Sequence, residues 1–126
     1  MAKEKKWGVV PFRRKKGKVQ VLLITTRNRN WGLPKGNLIK KIGARKTALQ
    51  EAFEEAGILG RLGERGKKYS PSREDSIFFW PMEVKKELNR WPEHRQRDRK
   101  WVTPSKARNM VKKKAARKAL ELASRN

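Results

Sequence analysis

At 126 residues the chain can hold one domain around one core, and its 36% hydrophobic content falls in periodic segments, which excludes disorder throughout. It has no cysteine and a single histidine, His94, excluding a disulfide framework, a zinc–thiolate site, thiol catalysis and a multi-histidine metal centre. Lysine and arginine number 35 against 12 aspartates and glutamates, and a formal charge of +23 gathers polyanions such as nucleic acid, inositol polyphosphates or nucleoside polyphosphates. No apolar run approaches the ~18 residues of a membrane span. The start, MAKEKKWGVV, lacks the apolar core of a signal peptide, so the expectation is a cytoplasmic protein with no membrane partner.

In chain order, residues 1 to 6 read as a mobile lysine-rich lead to a single domain over 1–126. Trp7 to Phe12 is a short apolar strand, and Val19 to Thr26 (VQVLLITT) is the clearest strand of the chain. Between them Arg13 to Lys18, RRKKGK, reads as a cationic hairpin turn with Gly17 taking the awkward backbone. A polar loop, Arg27 to Asn30, leads into WGLPKG, where Gly32 and Pro34 fix a turn and Gly36 permits close approach of the backbone to a ligand. A helix is predicted over Ala44 to Ala56, stopped by Gly57 as a left-handed cap. Ile58 to Lys68 reads as a strand flanked by glycines, Tyr69 to Asp75 as a loop, and Ser76 to Val84 (SIFFWPMEV) as a second strong strand. Pro81 there argues for an edge position or a bulge. Leu88 to Lys100 is a polar, arginine-rich loop. Thr103 as N-cap and Pro104 at the first position then start a final helix running to about Ala123, its buried stripe Ala107, Met110, Val111, Ala115, Ala119 and Leu122. Its remaining face is basic, a solvated surface first and a nucleic-acid or acidic-partner surface second.

The 44–56 helix carries the chemistry. Glu51, Glu54 and Glu55 stand at i, i+3 and i+4 and share one exposed face, while Leu49, Ala52, Phe53 and Ala56 face the other way, toward a sheet. Three carboxylates together repel one another unless a cation sits among them. A hard divalent ion, Mg²⁺ or Mn²⁺, takes such oxygens together with substrate phosphates. The bland alternative is three solvated glutamates neutralised by neighbouring lysines and arginines.

WGLPKG from Trp31 to Gly36, followed at fixed distance by QEAFEEAGI from Gln50 to Ile58, resembles the Nudix hydrolase signature. Gly36, Glu51, Glu54, Glu55, Gly57 and Ile58 fall in register with it. Ile42 stands where its first glutamate belongs, Gln50 where its arginine belongs, and Ala52 where a larger aliphatic is usual. The stretch ending RKWVTPSKA is similar to the diphosphoinositol- and diadenosine-polyphosphate branch of that family. The resemblance implies an α+β fold, a mixed β-sheet between helices in an α/β/α sandwich. It also implies a cation held by the Gly36 carbonyl, Glu51, Glu54 and Glu55, the three glutamates doubling as catalytic residues. Basic residues near the motif, Arg13, Arg14, Arg27, Lys35, Lys40 and Lys41, are the substrate-binding candidates. Glu93, with Glu87 in reserve, is the candidate for one further acid; Arg95, Arg97 and Arg99 either hold phosphates or are solvated. Trp31 either stacks on a base or sits in the core. Two functions stay open: a phosphoanhydride hydrolase for a highly anionic small molecule, and a catalytically impaired Nudix-like domain that binds RNA or a ribonucleoprotein.

Overall fold

The computed structural model describes residues 5–72 and 75–124. Of the expected mobile lead, residues 1–4 lie outside the described residues; Lys5 and Lys6 instead open the first strand. So do Arg73 and Glu74 of the expected 69–75 loop lie outside them.

A mixed sheet forms the middle layer. β1 (Lys5–Lys15) and β2 (Lys18–Thr25) make an antiparallel hairpin whose two-residue turn, Lys16 and Gly17, has positive φ at both positions, as the twist of a tight hairpin requires. β1 runs parallel to β7 (Ser76–Glu87), which pairs antiparallel with β5 (Ile58–Leu62) and β6 (Lys67–Tyr69). β2 also pairs with β3 (Trp31–Gly32) and β8 (Arg99–Val102), and β4 (Lys35–Gly36) pairs with β1.

Alternation along the strands divides the core in two. Val9, Leu22, Ile24, Trp80 and Met82 face α1 (Gly43–Ala56), which buries Ala48, Ala52 and Ala56 against them. Val10, Val21, Leu23 and Phe79 face the opposite way, under α2 (Pro104–Met110), α3 (Lys114–Ala119) and α4 (Glu121–Ser124). This is the α/β/α sandwich with a mixed sheet that the resemblance implied. Trp31 packs half-buried against the second cluster.

Several expectations need correction. The single closing helix is three short ones, broken where Val111 turns extended and forms a bridge with Trp31. The predicted 58–68 strand is two, β5 and β6. Pro81 lies neither at an edge nor in a bulge: β7 is central, but β5 ends opposite Met82 and β6 begins opposite Phe79. The proline therefore faces a gap between two neighbours, where its missing N–H costs no ladder bond, and its carbonyl accepts from the Gly63 N–H at 2.8 Å. On α1, Ala48 replaces Phe53 in the buried stripe, and Glu55, expected to be exposed, is only 8% exposed. Among the described residues no helix is long and apolar enough to cross a membrane.

Candidate active site

The carboxylate helix is anchored by its C-terminal end. Gly57 adopts φ 66°, the left-handed cap, and its N–H donates to the Phe53 carbonyl at 3.0 Å. A Cβ at this position would also strike the Trp91 ring. The next three carbonyls are satisfied by a single downstream segment. The Glu93 N–H donates to Glu54 at 3.1 Å, the Trp91 indole N–H to Glu55 at 3.0 Å, and Arg99 Nη1 to Ala56 at 2.7 Å. Arg99 also stacks over Trp91, 3.9 Å from the ring centre, and pairs with Glu87 at 3.3 Å. The orphan carbonyls of a helix end thus become the dock for residues 88–99.

That docking delivers Glu93 and Arg97 to the glutamates. Arg97 Nε bonds Glu93 at 2.9 Å, Nη1 donates to the Thr25 carbonyl at 2.9 Å, and Nη2 lies 3.7 Å from Glu55. Glu55 further accepts from the Lys35 N–H at 3.2 Å, and Glu54 accepts from the Gln50 amide at 2.9 Å. Glu51 rests on the backbone of Gly36, where any Cβ would collide with its carboxylate.

These groups line one cleft of about 1170 Å³. Glu51, Glu54, Glu55 and Glu93 make its acidic wall; Lys6, Arg27, Arg29, Lys35, Lys113 and Lys114 bring cations to it. Burial raises the Glu55 carboxyl to about 7, with Glu51 and Glu93 adding to the rise while Arg97 and the Lys35 N–H oppose it. Glu51 is also raised, by burial first and then by Glu54 and Glu93. Lys35 is lowered, chiefly by burial.

Of the expected residues, the cleft gathers Gly36, Glu51, Glu54, Glu55, Arg27, Lys35 and Glu93. It does not gather Arg13, which stacks on Trp101 at 4.1 Å and bonds Gln20, nor Arg14 at the hairpin end. Lys40 and Lys41 are exposed outside it, and Glu87 is spent on Arg99 and Trp101. Lys6, Arg29, Lys113 and Lys114 are additions. Lys113 and Lys114 belong to the basic face expected of one long closing helix; with the break at Val111 they line the cleft, and no glycine or proline marks that break in the sequence.

The pattern of the NUDIX domain family matches residues 3–123. The chain belongs to the Nudix family. Nudix hydrolase 21, chloroplastic, of Arabidopsis thaliana is 38% identical over 124 residues, covering 90% of this chain and 63% of the relative. Nudix hydrolase 4 of the same plant is 35% identical over 128 residues, covering 90% and 62%. The chain therefore spans less than two thirds of the length of these two relatives. Among solved structures, a C. elegans Ap4A hydrolase in a binary complex superposes with TM-score 0.76 at 22% identity, covering 97% of this chain and 96% of that one. The NUDIX domain of Shewanella oneidensis NrtR, complexed with ADP ribose, gives 0.70 at 15% identity, covering 99% and 88%. At these identities the likeness carries the fold alone.

Against the Nudix pattern, the donor chemistry on α1 suits a hard cation: carboxylate oxygens beside a backbone carbonyl, with more negative charge than Arg97 neutralises. Among the described residues no three acidic or histidine side chains already surround one point, because Glu54 is turned to Gln50 and Glu55 to Arg97 and Lys35.

Proposed function

We propose that this Nudix chain hydrolyses a phosphoanhydride bond in a highly anionic, nucleotide-like or inositol-based polyphosphate. The observation that carries the reading is the cleft itself, four glutamates on one wall and lysines and arginines around it. Phe79 is the one aromatic residue lining it among the described residues, and it is fully buried. The cationic lining makes the phosphates the recognised part, which suits diphosphoinositol or diadenosine polyphosphates.

Glu51, Glu54, Glu55 and the Gly36 carbonyl would hold Mg²⁺ or Mn²⁺, which supplies a Lewis acid for the phosphoryl oxygens and acidifies water when bound. Glu51, which lies over the Gly36 backbone at the cleft, would take the proton of the attacking water. Arg97 holds Glu55 and Glu93 in place. Lys6, Arg27, Lys35 and Lys113 bind the phosphates and spread their charge, which is most of what phosphoryl transfer asks of a protein.

The second reading, a binding domain for RNA without turnover, is favoured by the exposed Ile42 at the start of α1 and by the absence of any acid in its first turn. A panel of diadenosine polyphosphates, a diphosphoinositol polyphosphate and 5′-triphosphate RNA, with Mg²⁺ and a Glu54→Gln control, separates the two. Turnover that the control lacks establishes the hydrolase. Silence from a folded protein, with metal-independent RNA binding that weakens as salt rises, establishes the binder.

A further inference from the structure

From Thr103 to Leu120 the chain carries seven lysines and arginines and no acid. α2 and α3 fold this stretch so that Ala107, Val111, Ala115, Ala116 and Ala119 are buried and the basic side chains are exposed. None of the seven makes an ion pair among the described residues. Arg117 is used internally, donating to the Val111 and Lys112 carbonyls at 3.0 and 3.3 Å, and so fixes the turn between the helices. The turn places Lys113 and Lys114 at the cleft, while Lys106, Arg108 and Lys112 lie outside its lining. An unneutralised basic surface thus runs from the outer face of α2 into the cleft.

We propose that this surface is a track for the phosphodiester backbone of a single-stranded polynucleotide whose end enters the cleft. Position argues for a strand: Lys106, Arg108 and Lys112 lie outside the cleft on or just beyond a helix that rises about 10 Å, so a ligand seated in the cleft must continue past it to meet them. The apolar content argues against a membrane. The exposed large hydrophobic residues, Leu38, Ile39, Ile42 and Leu59, all lie elsewhere, so α2 and α3 present no wedge for lipid. Continuity with a cation-lined cleft argues for phosphates over an acidic peptide. With no exposed large aromatic side chain on either helix, the track reads backbone charge and not base identity. The inference rests on the proposed reading of the cleft only for where the strand ends.

The test is fluorescence anisotropy in EDTA with uridylate and thymidylate oligomers of three and twelve nucleotides over a KCl series. Anionic phosphatidylserine vesicles are run beside them. The variants are Lys106→Glu/Arg108→Glu/Lys112→Glu and, reversing as much charge elsewhere, Lys15→Glu/Lys16→Glu/Lys18→Glu; thermal melts establish that both fold. The wild type is expected to bind either 12-mer about tenfold tighter than its 3-mer at low salt. The α2 variant is expected to lose that preference, its log–log salt slope falling by about 2, while the hairpin variant keeps most of it. Equal affinity for both lengths, equal loss in both variants, or capture by vesicles without 12-mer binding overturns the track. Because no catalysis is read, silence on the polyphosphate panel with length-dependent binding intact defeats the hydrolase and leaves the track standing.

Discussion

The two ends of α1 are built in opposite ways. At the C-terminal end Gly57, Trp91, Glu93 and Arg99 satisfy the carbonyls from Phe53 to Ala56 one by one, and the glutamates nearby are held by the same segment. At the N-terminal end Ile42 is the capping residue with no side-chain bond, the first turn has no acid, and Leu38, Ile39 and Ile42 are exposed. That loop is tied to the helix at Ile39, whose N–H donates to Thr47 Oγ1 at 3.0 Å, and to β1 at Asn37, which accepts from Lys6 at 2.9 Å. The motif residues this chain keeps are concentrated at the docked end. Of its departures, Ile42 lies at the bare one, and Gln50 is absorbed in holding Glu54. A helix can evidently lose its acidic start and still present ordered carboxylates, provided its far end is pinned.

Breaking the docked end should cost most. Arg99→Ala removes charged hydrogen bonds to the Ala56, Gly57 and Leu88 carbonyls, the Glu87 pair and the stack on Trp91. The expected loss is about 3 kcal/mol, seen as a melting point lower by roughly 10 °C; Arg13→Ala, which loosens only Trp101 and Gln20, should fall well short of it. Next comes Gly36→Ala, which pushes the Glu51 carboxylate off the backbone with little change in melting point. A displacement of about 1 Å in a catalytic group is worth about 100-fold in rate, and single-turnover kinetics would read it.

The raised Glu55 carboxyl gives the third comparison. With a folded value of about 7 against the ordinary 4.5, the native state holds its proton where the unfolded chain has already lost it. Metal-free protein should therefore lose stability as pH rises from about 4.5 to 7, by at most about 3 kcal/mol, read from melts at pH 5 and 7.5. A divalent cation needs the ionised form, so its affinity should climb about tenfold per pH unit up to about 7 and flatten beyond. The smallest effect belongs to the bare end. Ile42→Asp, supplying a capping acid at the start of the helix, should gain about 0.5–1 kcal/mol in a denaturant titration.

What could be read from the sequence was local. The β1–β2 hairpin, the Gly57 stop and Thr103 capping α2 through the Lys106 N–H at 3.2 Å all follow from neighbours in the chain. The spacing of Glu51, Glu54 and Glu55 was equally plain, but their burial was not. Glu55 is enclosed by Lys35 and Arg97, 20 and 42 positions away, and only the docking of residues 88–99 brings the latter there. Pro81 misled for a related reason. A proline's tolerance in a sheet depends on whether its neighbour has a gap, and that gap belongs to β5 and β6. The break in the closing helix is set by Val111 reaching Trp31, an interaction 80 residues long in sequence, and its local composition is that of a good helix.

The carboxylates of the docked end are expected to bind a divalent cation although Ile42 stands where the Nudix pattern has an acid. Calorimetric titration of Mn²⁺ into wild type and Glu54→Gln at pH 7.5 asks this directly. Saturable binding by the wild type, weakened at least ~10-fold in the variant, is the predicted result. No saturable heat from a folded wild type, or an identical isotherm from both proteins, would contradict it.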